Sequence, residues 1–149
     1  MTDKIIYARI DNILDLPHHR TAILLGLDPD KWGKIKKYEV DGKLSLDRNI
    51  EAHLLLTPDQ RLILLKLRMK GSRLGPAKEL MARLERDKFI APTTASDFLG
   101  FPHGTYNRYK NGSARVQRPI VYSIEAHLLL PAKQFDYLMD DRKCLTQSQ

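Results

Sequence analysis

The amino-acid sequence predicts an all-α protein made of two tandem five-helix units, and three observations carry that prediction. The heptapeptide Ile-Glu-Ala-His-Leu-Leu-Leu at residues 50–56 is written again, letter for letter, at residues 124–130, an offset of 74. The flanks keep the same offset: Ala8-Arg9 falls on Ala82-Arg83, Gly26 on Gly100, Lys36 on Lys110, Gln60 on Gln134, Leu64 on Leu138 and Arg68 on Arg142. Apolar residues recur at helical intervals, while the period-two alternation of a half-buried strand never lasts more than a few residues. A repeat detected at this level takes precedence over the assignment of single elements. The expected organisation is a first unit over residues 1–70, a linker at 71–75, a second unit over 76–143 and a polar tail at 144–149, each unit with its own core.

In the first unit, Ile5, Ile6, Ile10, Ile13 and Leu14 predict a helix over 4–14, with Thr2 or Asp3 as cap and Pro17 just beyond its end. A second helix, 18–25, carries Ala22, Ile23, Leu24 and Leu25 and stops at Gly26, which tolerates the left-handed conformation of a tight turn. Asp28 before Pro29 reads as a cap followed by the favoured first helical residue, so a third helix starts there and carries Trp32 and Ile35 inward to about residue 39. Ser45 is expected to cap a fourth helix through 56. Thr57-Pro58-Asp59 repeats the cap-and-proline signal for a fifth helix ending near 70, and Gly71-Ser72 and Gly75-Pro76 punctuate the linker. The second unit repeats the plan over 76–88, 93–99, 102 or 103–110, 119–130 and 132–140.

Charge narrows the function. Lys and Arg outnumber Asp and Glu by 14 to 10 up to Leu74 and by 11 to 8 after it, and the sequence pI is about 9.6. Positive charge in both halves points to a polyanionic partner, although a solvated basic surface shows the same excess. The single Cys144 cannot form an internal disulfide, which fits a reducing cytoplasm. No stretch approaches the ~18 apolar residues of a membrane span, and no leader pattern opens the chain, so a soluble, unprocessed protein without a membrane partner is expected. Neither a carboxylate pair, nor a nucleophile with its base, nor a Gly-rich phosphate loop recurs at the offset, so no catalytic, metal or cofactor residue is expected. His53 and His127 read as partly buried packing residues.

The chemistry-bearing stretch is Thr94-Ala95-Ser96-Asp97-Phe98-Leu99-Gly100-Phe101-Pro102-His103-Gly104-Thr105-Tyr106-Asn107-Arg108-Tyr109-Lys110-Asn111-Gly112. A short helix, a Gly-containing turn and a second helix with polar residues on its outer face form a helix-turn-helix pattern. Leu-Gly-apolar at the turn, a polar trio, an Arg, an aromatic and a Gly-terminated loop resemble the lambda-repressor-like (Cro/CI, Xre) DNA-binding family. The resemblance covers roughly residues 78–140 and carries back, with less fidelity, to 4–70. It implies two lambda-repressor-like helix-turn-helix domains, with double-stranded DNA as partner.

Phe101, Tyr106 and Tyr109 are expected to lock the recognition helix against the preceding one. The resemblance implies that His103, Gly104 and Thr105 approach base edges, while Asn107 and Arg108 have the hydrogen-bonding shape to read adenine or guanine. Lys110 on the helix, with Arg115 and Arg118 in the following loop, completes this set as backbone contacts. In the first unit the corresponding surface is Lys31, Lys34 and Lys37, with Lys43 in the loop. There Asp28 and Asp30 stand where bases would be met, and Tyr38 stands where the second unit has Gly112, so this helix either docks through its lysine flank with little base reading or has lost DNA contact. Such a chain suits a transcriptional regulator of a bacterium, phage or mobile element. The rivals are an antitoxin or anti-activator that holds a protein, and a replication, partition or excision accessory factor. Leu62, Leu67 and Met69 replace Asp136, Asp141 and Lys143, and this extra apolar face predicts packing against the second unit or against a second chain in a homodimer.

Overall fold

Helix starts and stops follow short-range chemistry in both repeats. The computed structural model describes residues 6–38 and 44–142, and every regular element among them is helical. A 3-10 turn, Tyr7–Arg9, runs into α1 (Ile10–Leu14), followed by α2 (His18–Leu25), α3 (Pro29–Tyr38), α4 (Leu44–Leu55) and α5 (Pro58–Met69). The second series is α6 (Ala77–Lys88), α7 (Pro92–Leu99), α8 (His103–Asn111), α9 (Arg118–Leu129) and α10 (Ala132–Asp141). Both ends of α2 and α7, and both ends of α4 and α9, coincide at the 74-residue offset.

Thr57 caps α5 as expected. Its hydroxyl accepts from the Gln60 amide at 3.1 Å and the Gln60 side chain accepts from the Thr57 amide at 2.9 Å, a complete capping box. Three local expectations are corrected. The described part of the first helix is a 3-10 turn before a short α1. Ser45 lies inside α4, one residue after its start at Leu44, so it is no cap. Arg118, expected in a loop, is the first residue of α9, with Pro119 in the favoured first turn.

In each repeat an acid on the first helix holds the third one, α3 or α8. Asp11 accepts from Trp32 Nε1 at 3.0 Å and from Lys36 Nζ. Glu85 accepts from the Tyr106 hydroxyl at 2.6 Å and from Lys110 Nζ at 2.8 Å. Burial pushes the Asp11 carboxyl up, yet the donors Lys36, Trp32 and Thr21 outweigh it and hold it below the usual value. Burial, then Glu85, raises the Tyr106 hydroxyl, which stays protonated as a donor. Tyr106 thus faces α6, whereas the sequence reading turned it toward the preceding helix.

The two repeats pack on each other through α4 and α9, the most extensive helix pairing. Arg68 donates to Leu24 O at 2.6 Å, His53 Nε2 at 2.6 Å, Tyr122 O at 3.2 Å and Glu125 Oε1 at 2.9 Å. Arg142 donates to Phe98 O at 2.8 Å, His127 Nε2 at 2.8 Å, Arg48 O at 3.4 Å and Glu51 Oε1 at 3.1 Å. Each partner in the second set is the 74-residue counterpart of one in the first. Residue i meets j while the counterpart of j meets that of i, which is the reciprocity of a two-fold interface realised within one chain. The linker joins it, because Leu74 N donates to Glu125 Oε2 at 2.7 Å. Buried apolar residues of both repeats form one continuous cluster in place of the separate cores expected.

Gly26 and Gly100 each serve two demands. Both cap the preceding helix in the left-handed region, at φ 81° and 86°. Both also touch the other repeat: a Cβ on Gly26 would stand 2.8 Å from Tyr122 Cδ2 and 2.9 Å from Pro119 N, and one on Gly100 3.0 Å from Ser45 N. No side chain fits either place.

His53 and His127, expected to be partly buried, are fully enclosed. Each ring has an Nδ1 facing the carbonyl four residues earlier, at 2.8 Å to Asn49 O and 2.7 Å to Ser123 O, and an Nε2 facing an arginine. That arrangement suits only the neutral tautomer that donates from Nδ1. Burial first, then the charge of Arg68 or Arg142, holds both rings well below the usual histidine value. The unfolded chain takes up protons below pH about 6.5 that the folded chain refuses, so these groups' contribution is full above that pH and lost below it. The slope is at most about 1.4 kcal/mol per pH unit for each ring. Denaturant melts at about pH 7.5 and about pH 5.5 are expected to show lower stability at the acid end; equal midpoints would contradict the neutral assignment.

Of the extra apolar residues of α5, Leu62 and Met69 are half-exposed and Leu67 is partly buried, because α5 turns Leu64, Leu65 and Arg68 inward.

Candidate nucleic-acid interface

The surface of interest is built on α7, the turn Gly100-Phe101-Pro102, and α8. Phe98 and Leu99 bury the inner side of α7, and Tyr106 buries that of α8. Phe101 and Tyr109 meet edge to face at 5.7 Å, closing the turn over the helix pair. With those positions turned inward, His103, Gly104, Asn107 and Arg108 lie exposed, and Thr105 is partly so. A Cβ on Gly104 would meet nothing within 4 Å, so the backbone at the start of α8 is open to a ligand.

Two of these side chains already have neighbours. His103 Nε2 lies 3.0 Å from Asp97 Oδ1 across the turn, and Arg108 donates to Thr105 Oγ1 at 3.3 Å. Both contacts are solvent-exposed and hold the polar groups in place without enclosing them. Arg115 and Arg118 are exposed beyond the end of α8. Lys110 differs from its companions: its ammonium pairs with Glu85, side chains 31% and 15% exposed, so it ties α8 to α6.

The corresponding face of the first repeat is a cationic strip. Lys31, Lys34 and Lys37, three residues apart on α3, are all exposed, and Trp32 and Ile35 turn inward. Lys36, like Lys110, is tied to the first helix of its repeat through Asp11. Asp30 is exposed in the first turn of α3, and its amide donates to Asp28 Oδ1 at 3.4 Å. Lys43 lies outside the described residues. His18 begins α2 and its Nε2 is 2.9 Å from Pro29 O, so it braces the start of α3.

What the sequence reading missed is the cross-repeat placement of these faces. Arg118 lines a cavity of about 280 Å³ together with Asp28 and Pro29 at the start of α3. Its counterpart Leu44 lines one of about 460 Å³ with Asp97 and Pro102 at the start of α8. The recurrence of Glu51, His53 and Arg68 as Glu125, His127 and Arg142 was the available signal that the repeats share polar chemistry. It did not say that the glutamates cross over. Among the described residues no three His, Cys, Asp or Glu side chains gather to hold a metal, and no helix is long and apolar enough to cross a membrane. Compared with known proteins, the chain matches no family model, no curated sequence and no solved structure.

Proposed function

We propose that this chain binds double-stranded DNA sequence-specifically through two helix-turn-helix units, α2–α3 and α7–α8, and acts as a transcriptional regulator of a bacterium, phage or mobile element. One observation carries the reading: the second helix of the α7–α8 pair buries its aromatic side while leaving Asn107 and Arg108 exposed beside an open Gly104. Asn and Arg are the side chains whose forked donors and acceptors match adenine and guanine edges in the major groove. Arg115, Arg118 and the α3 lysines supply the phosphate contacts, which set orientation and affinity. Lys110 is left out of that set by its bond to Glu85.

The reciprocal α4–α9 packing supports a single chain doing the work that two chains do in two-fold operators, where half-sites lie roughly 34 Å apart. The deciding test is a gel-shift with genomic fragments at moderate salt, competed with unrelated duplex. Selection of particular fragments supports DNA reading; uniform competition would favour a protein-holding module. A second measurement separates the roles of the two faces. Lys34→Ala with Lys37→Ala is expected to weaken binding to all sequences alike and to reduce the log–log salt slope by about 0.9 for each lost phosphate contact, while selectivity survives.

A further inference from the structure

The framework of the two repeats is duplicated, but their outward faces are not. Inward-facing polar positions keep their chemistry at the offset: Asp11 and Glu85, Lys36 and Lys110, Glu51 and Glu125, Arg68 and Arg142. On α3 and α8 the exposed positions all differ. Asp30 stands opposite Gly104, Lys31 opposite Thr105, Lys34 opposite Arg108 and Lys37 opposite Asn111. The surroundings differ too, since Arg118 flanks the start of α3 and Leu44 that of α8.

Resting on the DNA-binding reading above, we infer that the site recognised is bipartite with two unlike halves at a fixed spacing, not a palindrome. A palindrome presents the same donors and acceptors to both helices. Asn107 and Arg108 match the paired edges of adenine and guanine. Asp30 can only accept hydrogen bonds and repels phosphate, so it fits the exocyclic amino group of cytosine, while Lys31 and Lys34 beside it hold phosphate. A half that suits α8 therefore mismatches α3, and each mismatched base pair lowers affinity about 5- to 150-fold. The spacing is fixed because Gly26 is pressed against the Arg118–Pro119 backbone and Gly100 against Leu44–Ser45, which seats each turn on the opposite repeat.

The test uses the full chain and a duplex pool with a randomised core about three helical turns long. The expected product is a motif of two unlike blocks. Synthetic duplexes carrying either block as an inverted repeat should bind at least about tenfold more weakly than the selected site. Inserting about 5 base pairs, half a turn, between the blocks should reduce affinity to that of one block alone. Asp30→Asn, at an exposed position, should change base preference in one block only. A two-block palindrome, a single block, inverted repeats that bind as well as the selected site, tolerance of the insertion, or a change of preference in both blocks would each overturn the inference while leaving DNA reading intact. A pool that returns no enriched sequence would instead refute the DNA-binding reading itself.

Discussion

Replacing Asn107 and Arg108 together with alanine is expected to abolish sequence-selective DNA binding while leaving residual, salt-sensitive affinity for any duplex. Each bidentate contact to a base edge is worth about 1–3 kcal/mol of discrimination, so the pair accounts for about 2–6 kcal/mol, a factor of about 30 to more than 10⁴. Both side chains are exposed, and among the described residues their one side-chain bond is from Arg108 to the Thr105 hydroxyl. Thermal melting should therefore move little. Competition binding with a selected and an unrelated duplex reads the result directly: the ratio of the two affinities should collapse toward one. A ratio that survives would place the reading residues elsewhere.

Arg68→Ala is expected to cause the largest loss of stability of any single change considered, about 3–5 kcal/mol. Arg68 and Glu125 have side chains 0% and 1% exposed, so removing the guanidinium leaves a carboxylate with no route to water. The same change removes the donor to His53 Nε2 and to two backbone carbonyls. Loss of a buried partner costs more than the pair contributes, because an uncompensated charge remains. Arg68→Met with Glu125→Leu should accordingly recover the part due to the unpaired charge, leaving the Leu74 amide without its acceptor and His53 Nε2 and the two carbonyls without their donor. Denaturant melts of the single and double variants check both statements. A double variant no better than Arg68→Ala would show that the guanidinium's other bonds, not the charge pair, dominate.

The reciprocal arrangement also bears on binding. Since Arg68 and Arg142 each reach into the opposite repeat, loosening either should free α3 and α8 from their common frame. Binding of the two faces would then become less concerted as stability falls.

Most of the helix plan was legible in the residues. α2 and α7 are bounded as read or within one residue, because a glycine in the left-handed region stops each. Thr57 with Gln60 announced α5. Exposure of Asn107 and Arg108 followed from aromatic spacing around α8. The misplaced features share a cause. Ser45 and Arg118 sit at helix starts where several residues could serve as cap, and the choice is made by packing: Leu44–Ser45 abuts Gly100 and Arg118–Pro119 abuts Gly26. Lys110 looked like a free cation because its partner Glu85 lies 25 residues earlier.

The sequence by itself determined the helical class of the described residues, the internal duplication and the outward side of α3 and α8, since caps, glycines and helical periodicity act over a few residues. Only the tertiary structure decided that Arg68 finds Glu125, 57 residues away, and Arg142 finds Glu51, 91 residues away. Many surface charges could have paired with those arginines. The choice belongs to packing, because α4 and α9 exclude water around two charges that in solvent would attract each other only weakly.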